Sequence, residues 1–193
     1  MNRFIFTECY ADKYFFGKLL QNEELLNKAS GKDAVLKTVL LKRVDLFTIA
    51  IIDKDKTELD VILEENKELN SKKIEYKISI DNEIDILKIS KHPIYIIQIG
   101  PIELEKWLVN FLNSVDKKIE DFGFEDLADF EENHCKKRTD KLLKDEKFKE
   151  VIKFIISNFE QSENSILKLK NVLTYLIEYN YNVKKDELNN LLN

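Results

Sequence analysis

The run Phe47-Thr48-Ile49-Ala50-Ile51-Ile52 constrains this chain more than any other segment, because it is short, apolar, rich in β-branched residues and stops abruptly at Asp53. A run without polar alternation reads as a strand whose two faces are both covered, as in a parallel sheet packed between helices. Phe4-Ile5-Phe6-Thr7 and the stretch from Ile94 to Ile99 read the same way. From Ile74 the period changes to two, with Ile74, Tyr76, Ile78 and Ile80 on one face. The segment from Ile84 to Ile89 then pairs with it as a hairpin across Asp81-Asn82-Glu83.

Helical spacing fills the gaps between these runs. Ala11, Tyr14, Phe15 and Leu19 make residues 11–21 an amphipathic helix. Residues 22–32 are polar and read as a loop. Asp33 is an expected N-cap for a helix carrying Val35, Leu36, Val39 and Leu40, and residues 57–66 read as another helix. Pro101 is expected at the first position of a helix whose stripe is Leu104, Trp107, Leu108, Phe111, Leu112 and Val115. Beyond residue 116 the strand signal disappears. Residues 116–132 are acidic, 136–149 are net basic, and two apolar faces follow, one from Ile152 to Phe159 and one from Ile166 to Leu176. The expectation is an α/β fold: a mostly parallel, Rossmann-like sheet flanked by helices, with a C-terminal all-helical extension. Residues 1–115 would form the α/β domain and residues 116–193 the helical extension packed on it.

Composition narrows the setting. Two cysteines, Cys9 and Cys135, make neither a disulfide framework nor a zinc motif. The N-terminal residues lack a signal peptide's long apolar stretch, and no segment approaches the roughly 20 apolar residues of a spanning helix. A soluble, cytoplasmic protein with no membrane partner is expected. The net charge of −5 argues against a large non-specific phosphate-binding surface, yet is compatible with an enzyme whose bound cations supply positive charge locally.

In an open parallel sheet, ligands collect outside the carboxyl ends of the strands. Glu8 ends the first strand, Asp53 ends the Phe47–Ile52 run, and Asp55 lies two residues on. If the two strands are neighbours, three carboxylates converge, and such a cluster repels itself unless a cation enters. Hard oxygen donors suit Mg²⁺ or Mn²⁺. Beside this stands the plainer alternative that Asp-x-Asp after a strand is a turn or helix-cap motif.

These residues carry a resemblance. Glu8-Cys9-Tyr10-Ala11-Asp12 before an apolar helix resembles the opening motif of Toprim domains, and Ile51-Ile52-Asp53-Lys54-Asp55 resembles their Asp-x-Asp motif. The segment from Ile99 to Leu108, with Glu103-Leu104-Glu105-Lys106-Trp107, is similar to a Glu-x-Glu-x-Trp stretch of small stand-alone and OLD-type Toprim proteins. Where the family usually has Gly after the first Glu, this chain has Cys9, which requires that the backbone there not be left-handed. The resemblance implies a Toprim-like fold over residues 3–115 and Mg²⁺-dependent phosphodiester cleavage of DNA or RNA, in settings that include anti-phage defence. Glu8, Asp53 and Asp55 would be the catalytic and metal-binding carboxylates. Glu105 would be the preferred fourth metal ligand, with Glu103 either a further ligand or an acid serving the following helix N-terminus.

Several residues have two readings. Asp12 matches the family's second acidic position and is equally a first-turn acid stabilised by the helix dipole. Lys54 and Lys56 flank the aspartates and are either phosphate contacts or solvated neighbours. Lys32 is a weaker phosphate candidate. Cys9, His92, His134 and Trp107 read as structural. Lys136, Lys137, Arg138, Lys141 and Lys144 form a basic helix face or a phosphate-tracking surface. The competing function is a non-catalytic module binding a partner protein, which exposed apolar faces on residues 148–159 and 166–176 would favour; those faces would equally serve a homodimer.

Overall fold

The computed structural model describes residues 3–54, 58–100, 103–135, 142–161 and 163–192. Six strands, β1 (Ile5–Thr7), β2 (Leu26–Lys28), β3 (Thr48–Asp53), β4 (Ile74–Ile80), β5 (Ile84–Ile89) and β6 (Ile94–Ile99), form one sheet in the order β2-β1-β3-β6-β5-β4. The first four in that order run parallel, and the β4–β5 hairpin is appended antiparallel to β6. The protein is thus α/β with a mixed, mostly parallel sheet.

Strand register explains why the central runs are uninterrupted by polar residues. Ile49 and Ile51 of β3 face one side, while Ala50 and Ile52 face the other, and all four are buried. On the first side they meet α1 (Tyr10–Leu19), α4 (Leu104–Ser114), α5 (Glu146–Asn158) and α6 (Ser165–Tyr179), through Phe15, Trp107, Ile152 and Leu169. On the second side they meet α2 (Lys32–Lys37), its π-helical continuation Thr38–Lys42, and α3 (Leu59–Glu65), through Val35, Val39 and Leu59. Each fully buried side chain of this size contributes about 1.5–3 kcal/mol relative to exposure. The apolar faces of α5 and α6 are turned into this core, with Phe148, Val151, Ile152, Ile155, Ile166, Leu169, Val172 and Leu173 at 1% exposure or less. They do not present the open surface that an interaction module or a helix-mediated homodimer was expected to show.

Four local expectations are corrected. The segment 22–32 contains the edge strand β2 as well as a loop. The N-cap of α2 is Gly31, at φ 91°, and Asp33 lies inside the first turn. Left-handed backbone at that position favours glycine over aspartate. The helix following β6 begins at Leu104 with Glu103 as N-cap, and Pro101 lies outside the described residues. Finally, Ile74 packs on the second side of the sheet, whereas Tyr76, Ile78 and Ile80 pack on the first. The β4–β5 register shifts between Ile74 and Tyr76, and one extra residue in a strand turns every side chain before it to the opposite face.

Among the described residues, no helix is long and apolar enough to cross a membrane.

Candidate functional site

The carboxyl ends of β1 and β3 lie side by side because Thr7 pairs with Ile51 in parallel register. Glu8 follows immediately, and its Oε1 accepts a hydrogen bond from the Asp53 backbone N–H at 2.8 Å. The first two sequence-predicted carboxylates are therefore brought together across 45 residues of chain. Asp55 and Lys56 lie outside the described residues.

Two helix N-termini point at the same edge. At α1, Cys9 is the N-cap with an extended backbone, φ −134° and ψ −178°, so a side chain is accommodated where left-handed geometry would have demanded glycine. A capping box closes this end. Asp12 N–H donates to Cys9 Sγ at 3.4 Å, and Asp12 Oδ2 accepts the Cys9 N–H at 2.8 Å. Asp12 thus takes its structural reading, while remaining close enough to act electrostatically on Asp53. At α4, Asp53 Oδ1 accepts the N–H of Leu104 at 3.1 Å. Asp53, not Glu103, supplies this cap to α4: the Glu103 side chain makes no N-cap hydrogen bond. Glu105, one residue further, is buried at 6% exposure and acts on Asp53 and Cys9.

These placements set the electrostatics. Burial, then the nearby Asp12, Glu8 and Glu105 carboxylates, push the Asp53 carboxyl up to about 8, against a small opposing pull from the Leu104 N–H. Burial likewise raises Asp12, against the opposing hydrogen bonds of its cap. Burial, then Asp12, also raises the Cys9 thiol, which makes it a poor nucleophile and agrees with a capping role. At the rim, Lys32 Nζ donates to the Asp53 carbonyl at 3.1 Å.

Lys54 is held away from this edge. Its Nζ lies 2.6 Å from Asp85 Oδ2 on β5, and both side chains are largely covered, at 20% and 4% exposure. Asp85 also receives Lys77 Nζ at 2.9 Å and Ser79 Oγ at 2.5 Å. The phosphate-contact reading of Lys54 is corrected accordingly: its ammonium is committed to a buried ion pair. No short-range signal in the sequence links Lys54 to a residue 31 positions on, and Asp85 was not among the expected functional residues.

Trp107 and His92 occupy structural positions. Trp107 Nε1 donates to Glu83 Oε2 at 3.0 Å and to Ser165 Oγ at 2.9 Å, which ties α4 to the hairpin and to α6. The ring nitrogens of His92 sit against the Val44 carbonyl and Lys72 Nζ, both at 3.1 Å. The side chain of His134 and residues 136–141 lie outside the described residues. Lys144 is in a short 3₁₀ turn at Leu142–Lys144.

The donor set at this edge is made of hard carboxylate oxygens, and burial, then the neighbouring carboxylates, raise the Asp53 carboxyl; the second of these is the repulsion a divalent cation relieves. Among the described residues, no three acidic, histidine or cysteine side chains stand grouped tightly enough to enclose an ion. Glu8 contacts the Asp53 backbone at this edge, and Asp55 follows Asp53 by two residues in the chain.

The fold and this edge define a class, an α/β protein with an acidic cluster at the carboxyl end of its parallel strands. Comparison with protein-family models, curated proteins and solved structures returned no match.

Proposed function

We propose that this protein is a Toprim-type, Mg²⁺- or Mn²⁺-dependent phosphodiesterase or nuclease acting on DNA or RNA. The observation that carries the reading is the contact of Glu8 with the Asp53 backbone, which gathers Glu8, Asp53, Asp12 and Glu105 at the carboxyl edge of neighbouring parallel strands. Glu8 and Asp53 would hold the cation, with Asp55 as the third carboxylate from the same motif. Glu105, buried in the first turn of α4, contributes further negative charge. A bound divalent ion supplies Lewis-acid polarisation of a phosphodiester and stabilises its departing oxygen. The chain's own residues do the rest: the α1 and α4 N-termini orient the carboxylates, and Lys32 offers a positive charge at the rim for a neighbouring phosphate.

Calorimetric titration with Mn²⁺ and Mg²⁺ tests the reading. Binding by the wild type should be lost in Glu8→Gln and in Asp53→Ala with Asp55→Ala. Cleavage of single- and double-stranded DNA and RNA is then assayed with the same proteins. No binding at millimolar metal, or cleavage that survives the double aspartate substitution, would defeat it.

A further inference from the structure

The Lys54–Asp85 pair lies on the sheet's second side, opposite the acidic edge. Asp53 and Lys54 are adjacent in the chain, so their side chains leave the strand end in opposite directions. Three features fix Lys54. Its backbone N–H donates to the Ile99 carbonyl at 2.6 Å. Its ammonium is clamped by Asp85 at 2.6 Å. Its stem runs over Gly100, where an added Cβ would stand 2.3 Å from Lys54 Cβ. The next peptide of β6 is itself tied down, since Gly100 N–H donates to the Glu83 carbonyl at 2.6 Å.

We infer that Asp85 is a positioning residue for the acidic edge: by anchoring Lys54 on one side of the sheet, it holds the Asp53 carboxylate in register with Glu8 and the α4 N-terminus on the other. Asp85 reaches neither the carboxylates nor any group bound to them. It acts only through the chain at Lys54. Ser79 and Lys77, the latter more exposed than Lys54 at 39% against 20%, bond the rest of a carboxylate that is 3% exposed. Their hydrogen bonds and that of Lys54 hold Asp85 below the usual carboxylate range although burial alone would raise it. The functional consequence rests on the metal-site reading above, whereas the mechanical claim rests on the ion pair itself.

The test uses the full chain with two readouts. Amide hydrogen exchange at Lys54 and Leu104 reports the Lys54–Ile99 bond and the Asp53 cap directly. Calorimetric titration with Mn²⁺ alone, without nucleic acid, reports the edge. Asp85→Asn and Lys54→Met should each speed exchange at these two amides and weaken Mn²⁺ binding, both by about tenfold or more, the scale at which residues supporting metal ligands act. Lys77→Met removes an ion pair from the same carboxylate and leaves the tie to Lys54. It serves as the control for general destabilisation and should change both readouts by less than about threefold. Unchanged protection of Lys54 and Leu104 in folded Asp85→Asn, or equal effects of Lys77→Met and Lys54→Met, would overturn the inference. If Asp85→Asn fails to fold, Lys54→Met decides. A wild type that binds no Mn²⁺ would sink the metal-site reading alone, and the exchange data would still decide whether Asp85 positions Asp53.

Discussion

Replacing Asp53 by Asn should produce stability curves that cross as pH is raised. The wild-type carboxyl titrates near 3.8 in the unfolded chain and near 8 in the fold. A folded-state pKa raised in this way gives stability that is fully present below the unfolded value and is lost as pH rises through the folded one. The loss runs at up to about 1.4 kcal/mol per pH unit, so by pH 7 it reaches about 4 kcal/mol. Asn keeps an acceptor for the Leu104 N–H but never ionises. Its amide nitrogen stands where an acceptor oxygen stood, and that mismatch in a buried site costs about 1–3 kcal/mol. In metal-free buffer, Asp53→Asn should therefore be less stable than the wild type near pH 4 and more stable by about 1–3 kcal/mol at pH 7–8. Urea unfolding followed by Trp107 fluorescence, repeated from pH 4 to 9 with EDTA, measures both curves. Millimolar Mg²⁺ should restore the wild type above pH 7 and leave the variant unmoved. Parallel curves, or a variant less stable at every pH, would refute the argument that burial and neighbouring carboxylates crowd Asp53.

Other consequences are equally direct. Gly100→Ala forces a methyl against the Lys54 stem and should cost about 1–3 kcal/mol, read from the urea midpoint. Trp107→Phe leaves Glu83 and Ser165 without their indole donor and should lower stability by about 1–3 kcal/mol, with Ser165→Ala adding less than its separate cost because the two share one network. Leu169→Ala, in the core shared by α6 and the sheet, should cost about 2–5 kcal/mol and shift one cooperative transition, and two separated transitions would contradict a shared core.

The parts of the fold that were legible are those covered on both sides. Strands β1, β3 and β6 read as strands because every residue from Ile49 to Ile52 and from Ile94 to Ile97 is buried, which leaves no polar interruption. Strand β2 was not legible, since Leu26-Asn27-Lys28 has one apolar residue and pairs only along β1. The bulge at Glu75 escaped for another reason: its period-2 pattern is intact, and only the register against β5 reveals the extra residue. At the site, Glu8 and Asp53 were found because strand ends are marked locally. That Asp53 caps a helix 51 residues away, and that Lys54 is claimed by Asp85, are products of tertiary packing, and no periodicity records them.

The Phe47 N–H at the start of β3 donates to Tyr181 Oη at 2.9 Å, and the Phe47 ring stacks edge-on against the Tyr181 ring at 6.0 Å. The central strand is thus finished at its leading end by a residue synthesised 134 positions later. During translation the first 115 residues carry only α1 and α4 on the first side of the sheet, and the rest of that side stays uncovered until α5 and α6 are made. Closure of the first side of the sheet therefore waits on the last third of the chain.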